Sequence, residues 1–483
     1  MSIEVSEERT TGSAPSAAAR AVRSFAGLAT GEAVARAIAF VATLLIARRL
    51  GPAMYGIIGV TSGIMLYCTQ VADAGVELAG VPAIARERDD PVGLISAVLT
   101  LRVLAAIVLT VLVVAVGLWL MPQPDGAILA VYALGLVVAG ASPRWVFLGF
   151  QRPGTVAIAR IAGELATLVI VAAMVHDAGQ VAIVPLATVL GLVLGLVLMM
   201  GGLHRMGLRP VLKIDWPRSK PIFTTAPHLV GFTLLGLVLF NFDLIFLRFV
   251  AGETPAGYYA AAYTFIAFSA NLIVAWAHSV MPSLARLSGS PRERNEVYAT
   301  TTMLGLSIAL PAAVGGILTA PLLLGVLFGQ EFAPAATALQ WLLPVVPLAA
   351  VREIAVAALI SSPGGERRLL KVNAWTAAFN VALVTMVVPW YGLVGAAAVT
   401  VLTEVLRLVL AARFAREHHF EGPSLVRYGR PALAAALMAA GLLVAGPDAL
   451  VPRVVAGVGY YAVGLVLVGA IRIEDGRRLR VAV

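Results

Sequence analysis

Charged side chains lie inside apolar segments of this chain that are about 20 residues long, enough to cross a lipid bilayer. An arginine at the centre of a bilayer costs about 2.5–3.5 kcal/mol on insertion scales. We therefore expect these residues to face a polar interior or to have charged partners. An unpaired arginine there could bind an anion, and an unpaired acid could bind a proton or a cation. The residues are Glu32, Arg36, Asp73, Glu77, Arg102, Arg160, Glu164, Asp243, Arg352, Glu353, Glu404 and Arg407.

Spacing along a helix identifies the residues that can neutralise one another. Residues three or four positions apart lie on one helix face. This spacing joins Glu32 with Arg36, Arg160 with Glu164, and Glu404 with Arg407. For the last two pairs we predict a structural role in holding helices together. Arg36 differs because it lies in the middle of the first apolar segment, where its side chain could line a cleft.

Two other charged residues have no such partner. Asp243 is followed four residues later by Leu247 and five residues later by Arg248, so no basic residue lies one turn away. We predict that Asp243 is an ion-coupling residue that binds a proton or a cation. Arg102 lies near the start of its apolar segment, and we expect it to snorkel to the membrane interface.

The elements that carry these residues are apolar helices. The chain is 60% hydrophobic and only 13% charged, unlike a soluble domain. We predict an all-α polytopic membrane protein with about fourteen transmembrane helices. The approximate spans are 25–47, 53–78, 94–120, 127–150, 156–176, 180–202, 225–250, 256–283, 297–328, 335–361, 369–390, 393–412, 431–447 and 452–471.

Positive charge alternates between the two sides of these spans. Of the 35 Lys and Arg residues, 26 lie in the two tails and in every second loop. The positive-inside rule therefore predicts that both termini are cytoplasmic. Four basic residues lie on the opposite side: Arg48, Arg49, Arg248 and Arg453. The first three could form an anion-attracting rim, or they could simply snorkel to the interface. The pI near 10 is explained by loops facing anionic lipid, which argues against nucleic acid as a partner.

A weak internal repeat divides the chain. A basic residue precedes two glycines five positions apart at Gly51 and Gly56, and again at Gly252 and Gly257. The offset is about 200 residues, or six predicted spans, so the copies have the same orientation and an axis along the membrane normal relates them. We predict two six-helix lobes and an accessory helix pair. The predicted segments are a cytoplasmic tail (1–24), an N-terminal lobe (25–205), a basic linker (206–224), a C-terminal lobe (225–412), a cytoplasmic loop (413–430), helices 13 and 14 (431–472) and a second tail (473–483).

Several catalytic chemistries lack their usual motifs. None of the three lysines follows a glycine, no His precedes Glu, and no two aspartates are separated by one residue. Walker A loops, zinc helices and the Asp-x-Asp motif of many glycosyltransferases are therefore missing. The single cysteine, Cys68, excludes an intramolecular disulfide and a multi-cysteine zinc site. We predict a protein that is not an enzyme and has no metal or cofactor.

Six short motifs follow one another along residues 25–415. They are RLGPAMYG (49–56), DAG (73–75), NFD (241–243), GYYAAAY (257–263), LFGQEF (327–332) and PWYGLVGAA (389–397). In this order and spacing, the chain resembles the Wzx-type polysaccharide flippases. These belong to the superfamily of multidrug, oligosaccharidyl-lipid and polysaccharide exporters, which also contains the lipid II flippases.

The resemblance implies a V-shaped transporter that works by alternating access. It would move an undecaprenyl-pyrophosphate-linked oligosaccharide unit from the inner to the outer leaflet of the bacterial cytoplasmic membrane. Arginine suits the anionic pyrophosphate, and the cavity arginines of the family map onto Arg36, Arg49, Arg248 and Arg352. Coupling to a proton or sodium gradient, and partnership with a polysaccharide polymerase and chain-length proteins, are also implied.

Two other functions compete with the flippase. An ion-coupled multidrug/toxin antiporter of the same superfamily would favour an acidic cavity, whereas the unpaired charges in the spans of this chain lean basic. A membrane glycosyltransferase, polymerase or ligase usually needs sizeable outward loops, and the predicted outward loops are short.

Overall fold

The computed structural model describes residues 17–73, 75–87, 89–422 and 425–469. These residues contain fifteen α-helices, a few 3-10 turns and no β-strand, so the all-α prediction is confirmed. Most of the predicted N-terminal tail and all of the predicted C-terminal tail lie outside the described residues. The helices are α1 (Ala17–Asp73), α2 (Val76–Arg86), α3 (Pro91–Leu120), α4 (Asp125–Gly140), α5 (Arg144–Gly149), α6 (Pro153–Met174), α7 (Ile183–Arg205), α8 (Trp216–Ala251), α9 (Glu253–Arg286), α10 (Pro291–Leu327), α11 (Ala335–Leu342), α12 (Val345–Ile360), α13 (Gly365–Glu417), α14 (Leu425–Ala445) and α15 (Leu450–Leu467).

Eleven helical segments among the described residues are long and apolar enough to cross a membrane. Two of the long helices bend at a glycine with positive φ, at Gly51 in α1 (φ 72°, ψ 174°) and at Gly392 in α13 (φ 50°, ψ −129°). Glycine adopts such angles because it has no Cβ. Each bend lies between two predicted spans. The multi-pass membrane fold is confirmed, and the count of fourteen spans stays a prediction.

Proline interrupts two of the predicted spans. The span 127–150 is divided near Pro143 into α4 and the short helix α5. The span 335–361 is divided near Pro344 into α11 and α12. Proline has no N–H to donate within a helix, and this explains why the apolar pattern continues while the helix does not.

The basic linker predicted at 206–224 is partly helical, because α8 begins at Trp216, the eleventh residue of the linker. Asp215 caps this helix by accepting a hydrogen bond from the backbone N–H of Arg218 (3.3 Å). The side chain of Arg218 in turn binds Asp90 (Nη1–Oδ2, 2.6 Å), which caps α3 through the backbone N–H of Gly93 (2.8 Å). These two hydrogen bonds, that of Gly93 first, lower the pKa of Asp90 below its usual range. The linker is thus fixed to the start of α3.

Helices from each half of the chain pack mainly among themselves. In the first half, α6 packs against α1 and α7, and α4 packs against α1, α3 and α7. In the second half, α13 packs against α8 and α12, and α12 packs against α9 and α10. The helices α14 and α15 pack against each other and against α10, as expected for an accessory pair. Close contact of α1 with α8 and α9 joins the two halves.

The contact between the halves is reciprocal at the predicted repeat. A side chain on Gly56 would overlap the carbonyl oxygen of Glu253, and one on Gly257 would overlap the carbonyl oxygen of Pro52. Gly56 and Gly257 are 201 positions apart, and so are Pro52 and Glu253. Each copy of the motif therefore places the same positions against the other copy, which is the pattern of a twofold interface. Gly252, before α9, also has nearly the backbone angles of Gly51 (φ 96°, ψ −179°).

Candidate substrate-binding site

Arg36 is exposed on α1, and no described residue pairs with it. The pairing with Glu32 that the spacing predicted is not formed, because Glu32 Oε1 lies 3.4 Å from Nη2 of Arg144 on α5. One turn beyond Arg36, Phe40 packs against Phe268 of α9 with ring centroids 5.7 Å apart. The face of α1 that carries Arg36 therefore continues into the contact between the two halves.

Three of the four arginines on the unexpected side bind backbone carbonyl oxygens, two of them at helix ends. Arg48 Nε donates to the carbonyl oxygen of Leu327 at the end of α10 (2.8 Å). Arg49 Nη1 donates to the carbonyl oxygen of Ala172 in the last turn of α6 (2.7 Å). Arg453 Nη1 donates to a carbonyl oxygen in the loop after α14 (3.3 Å). Unpaired carbonyls and the helix dipole favour a cation at a helix C-terminus. These positions are therefore explained without a bound anion.

The fourth of these arginines, Arg248, joins helices from the two halves. Arg248 at the end of α8 binds both carboxylate oxygens of Asp125 in the first turn of α4, each at 3.0 Å. It also lies 3.2 Å from Glu253 at the start of α9. The Asp125 side chain is fully buried and that of Arg248 is 11% exposed. Only the Nη2–Oδ1 contact is a hydrogen bond, since Nε and Oδ2 have the distance but no hydrogen-bond partner. The pair is a desolvated ion pair that ties α4 to α8.

Arg352 belongs to a buried network in the second half of the chain. It binds Glu353 beside it on α12 (2.5 Å) and also Glu404 on α13. Glu404 binds Arg407 as well (3.1 Å), so the predicted Glu404–Arg407 pair is confirmed. Two cations and two anions balance, and each side chain is 13% exposed or less. The network connects α12 to α13 without a net charge.

Asp243 is buried on α8 among neutral hydrogen-bond donors. Its carboxylate accepts hydrogen bonds from the hydroxyls of Tyr259 on α9 and Thr400 on α13 (2.8 Å for Thr400) and from the backbone N–H of Leu244 (2.8 Å). No Lys or Arg among the described residues forms an ion pair with it. Three helices thus converge on one acid whose negative charge lacks a cationic partner.

A cavity of about 530 Å³ lies within the first half of the chain, lined by residues of α1 to α7. We refer to it as the polar cavity because of its charged, hydroxyl and amide groups, although apolar atoms make up the larger part of its lining surface. Three ion pairs form much of its wall. They are Asp73–Arg102 (2.9 Å), Glu77–Arg144 (3.3 Å) and Arg160–Glu164 (3.1 Å). The last of these confirms the predicted i,i+4 pair. Hydroxyl and amide groups complete the polar lining, from Thr69, Gln70, Ser142, Thr167 and Thr188.

The expectation that Arg102 snorkels to the interface is wrong. Its side chain is only 5% exposed, and besides Asp73 it binds the carbonyl oxygen of Ser142 (3.0 Å) at the end of α4. The carboxylate of Asp73 and the carbonyl oxygen of Ser142 hold the guanidinium group inside the protein. Sequence reasoning found the charged residues of this cavity one by one but missed the cavity, because they come from helices distant in the chain.

Metal-ligating side chains do not cluster in the part of the chain that the structure describes. No group of three or more His, Cys, Asp or Glu side chains there could hold a metal ion. Cys68 is a free, half-buried thiol on α1 that packs against apolar neighbours.

The fold is similar to that of solved membrane transporters. It aligns with a lipid II flippase, MurJ, in an inward closed conformation over 90% of this chain and 97% of the other, with a TM-score of 0.73 and 12% identity. It aligns with an inward-facing multidrug resistance MATE family transporter over 79% and 94% of the chains, with a TM-score of 0.65 and 16% identity. It aligns with a MOP superfamily transporter from Pyrococcus furiosus over 83% of this chain and 95% of the other, with a TM-score of 0.57 and 16% identity. The class is therefore a multi-pass membrane protein with the MurJ/MATE fold.

The family follows from sequence. The family described as polysaccharide biosynthesis protein matches residues 21–288, more than half of the chain, and the chain belongs to this family. No curated protein matches the chain. The predicted resemblance to a polysaccharide biosynthesis family with the lipid II flippase fold is confirmed.

Proposed function

We propose that the protein is a flippase for polysaccharide biosynthesis. It translocates an undecaprenyl-pyrophosphate-linked oligosaccharide unit from the inner to the outer leaflet of the bacterial cytoplasmic membrane, with both termini in the cytoplasm. Family membership supports a role in polysaccharide synthesis, and the MurJ/MATE fold supports transport. The identity of the lipid-linked substrate goes beyond the family and the fold and is part of the proposal.

Arg36 carries the proposal, because it is an exposed arginine without a described ion-pair partner inside an apolar helix. Such a charge in a membrane span costs several kcal/mol unless a counter-ion or water compensates it. A pyrophosphate group offers two phosphates, and a charge-assisted hydrogen bond contributes about 1.5–3 kcal/mol. Arg36 therefore binds the anionic headgroup beside the contact between α1 and α9, while the lipid tail stays in the bilayer.

The other arginines predicted to bind substrate have different surroundings. Arg49 caps α6, Arg248 is paired with Asp125, and Arg352 belongs to a neutral network. In the proposal these three maintain the helices around the headgroup. Direct contact of Arg49, Arg248 or Arg352 with the substrate stays a prediction that none of these contacts tests.

Alternating access between two lobes forms the mechanical part of the proposal. The reciprocal contact around Gly56 and Gly257 supports two related six-helix lobes, because a twofold contact between the copies provides a pivot. Arg248–Asp125 and the bond from Arg48 to the end of α10 both cross between the halves, near that contact. In this proposal they close one side of a V-shaped transporter while the Arg36 side is open.

Ion coupling is assigned to Asp243. A fully buried acid without a cationic partner takes up a proton or a cation when the site opens, and Tyr259 and Thr400 hold its oxygens on two other helices. Ion binding at this acid would alter the contacts among α8, α9 and α13. That linkage is how a gradient would bias the two states.

A multidrug/toxin antiporter is the second candidate, favoured by the likeness to MATE structures. It differs from the flippase in cargo. A cationic drug would be repelled by Arg36, whereas a pyrophosphate is attracted.

The test is polysaccharide export by cells that carry the Arg36→Ala variant. We expect at least a tenfold loss of surface polysaccharide with normal protein in the membrane, because one charge-assisted contact is removed. The matched control is Arg413→Ala, which removes a 75% exposed arginine. Normal export by Arg36→Ala would contradict the proposal, and export of a cationic dye in place of polysaccharide would favour the antiporter.

A further inference from the structure

The polar cavity in the first half is large for an ion and suited to a small organic group. Its volume of about 530 Å³ falls within the range of about 300–1,000 Å³ that is usual for small-molecule sites. Two ion pairs hold its wall together between helices, Asp73–Arg102 joining α1 to α3 and Glu77–Arg144 joining α2 to α5, and Arg160–Glu164 adds a pair within α6. The cavity lies apart from the proposed headgroup residue Arg36, which is not in its lining.

The cavity wall has no excess of positive charge. Three acids and three arginines line it, and Glu32 binds Arg144 from beside the cavity. Counted with Glu32, the wall carries one more acid than it has arginines. A pyrophosphate therefore gains no net attraction here, whereas an uncharged polar group can bind both the carboxylates and the guanidinium groups.

Two buried donors at this wall have no acceptor among the described residues. The indole N–H of Trp145 and Nε of Arg102 are both without a hydrogen-bond partner, and both residues line the cavity. Their side chains are 1% and 5% exposed. A buried donor that is left unsatisfied destabilises the fold, so groups of this kind normally meet an acceptor. An oxygen acceptor at this wall would satisfy both donors.

We infer that this cavity is a binding site for a sugar ring of the transported unit. Hydroxyl oxygens of a sugar would accept from the buried donors of Trp145 and Arg102 once these side chains turn toward it, and hydroxyl groups would donate to Glu77 and Glu164. The amide of Gln70 can do both. The assignment rests on the proposed function, because it deepens the identity of the cargo.

The position of Glu32 shows how one substrate reaches both places. Glu32 contacts Arg144 of the cavity wall, and Arg36 is one helical turn away, about 6 Å along α1. A pyrophosphate at Arg36 therefore lies about one helical turn from the contact of Glu32 with the cavity wall, although neither residue lines the cavity. The headgroup is recognised at two places. Arg36 binds the charged pyrophosphate, and the cavity binds the hydroxyl groups of the sugar.

The test measures binding to the full-length protein in nanodiscs. The probes are bare undecaprenyl pyrophosphate and a panel of the same lipid bearing N-acetylglucosamine, N-acetylgalactosamine, galactose or fucose. We expect wild type to bind at least one sugar-bearing probe about tenfold more tightly than the bare lipid. Trp145→Phe, which removes only the N–H donor and some volume, and Gln70→Ala should each reduce this preference about threefold or more. Binding of the bare lipid should change less than twofold.

Matched controls lie in the second half of the chain. Trp276→Phe and Gln340→Ala make the same chemical changes, and neither residue lines the cavity. Melting temperatures of all four variants show whether folding is intact.

The outcomes separate the two claims. A sugar preference that survives Trp145→Phe combined with Gln70→Ala overturns the cavity assignment, and so does a wild type that binds every probe like the bare lipid. In both cases the proposed function stands. Failure of wild type to bind even the bare lipid contradicts the proposed function itself.

Discussion

Variants of the Arg248–Asp125 pair can distinguish two roles for Arg248, a structural role in pairing with Asp125 and direct binding of the substrate. Replacing Arg248 with Gln leaves the carboxylate of Asp125 fully buried beside a neutral group. Breaking a buried ion pair in this way costs about 3–5 kcal/mol. The second partner of Arg248, Glu253, is 47% exposed, and its contribution is small. A cost of about 3 kcal/mol would change the population of the tied conformation on the order of a hundredfold.

Removing both charges should relieve most of this cost. In Arg248→Gln/Asp125→Asn, two neutral side chains can hydrogen-bond, and no buried charge remains. We expect Arg248→Gln alone to open the contact between α4 and α8, Asp125→Asn alone to do so less, and the double variant to restore it. Export of polysaccharide should follow the same order.

The assay is a distance between spin labels at Ala127 on α4 and Ala251 on α8, two exposed positions, in a Cys68→Ser background. Double electron–electron resonance should show a longer, broader distribution of label-to-label distances for Arg248→Gln and the wild-type distribution of distances for the double variant. A double variant that keeps the short distance but exports no better than Arg248→Gln would refute this reasoning. Arg248 would then act on the substrate directly.

Three further results are expected. Gly257→Ala places a methyl group against the carbonyl oxygen of Pro52, so its melting temperature should fall by the equivalent of at least about 1–3 kcal/mol, whereas Gly236→Ala, with open space around it, should melt like wild type. Asp243→Asn keeps the size of the side chain but not its charge; transport by vesicles should no longer respond to a proton or sodium gradient, and a persisting response would place coupling elsewhere. Asp90→Asn tests the cap of α3: because the folded pKa of Asp90 is lowered, its contribution is complete above the unfolded value near about 3.9 and is lost as the pH falls through the folded value. The difference in melting temperature from wild type should be constant between about pH 5 and 7 and should vanish in acid.

Local features of the fold could be predicted from the sequence. Helices were predictable because apolar runs of about 20 residues have few other solutions in a membrane. The pair Arg160–Glu164 followed from spacing on one helix. The repeat at Gly51 and Gly252 was visible because both turns need a residue without a Cβ, and the two glycines have similar angles.

Contacts between distant helices could not be predicted in this way. Arg48 and Arg49 looked like an anion-attracting rim, because nothing in the sequence shows that the ends of α10 and α6 lie beside them. Arg102 was expected at the interface, because the sequence does not show that Asp73 of α1 lies beside it. The partner of a buried charge depends on packing between helices, which hydrophobic periodicity does not determine.

The central claim is transport of a lipid-linked sugar, and its most direct measurement is transfer between leaflets. Purified protein is reconstituted into vesicles that carry a fluorescent undecaprenyl-pyrophosphate-linked sugar, and the fraction reached by a membrane-impermeant quencher is followed over time. We predict transfer well above that of empty vesicles, greatly reduced by Arg36→Ala and unchanged by Arg413→Ala. Transfer no faster than in empty vesicles, across the sugars tested and with an imposed proton or sodium gradient, would contradict the proposed function.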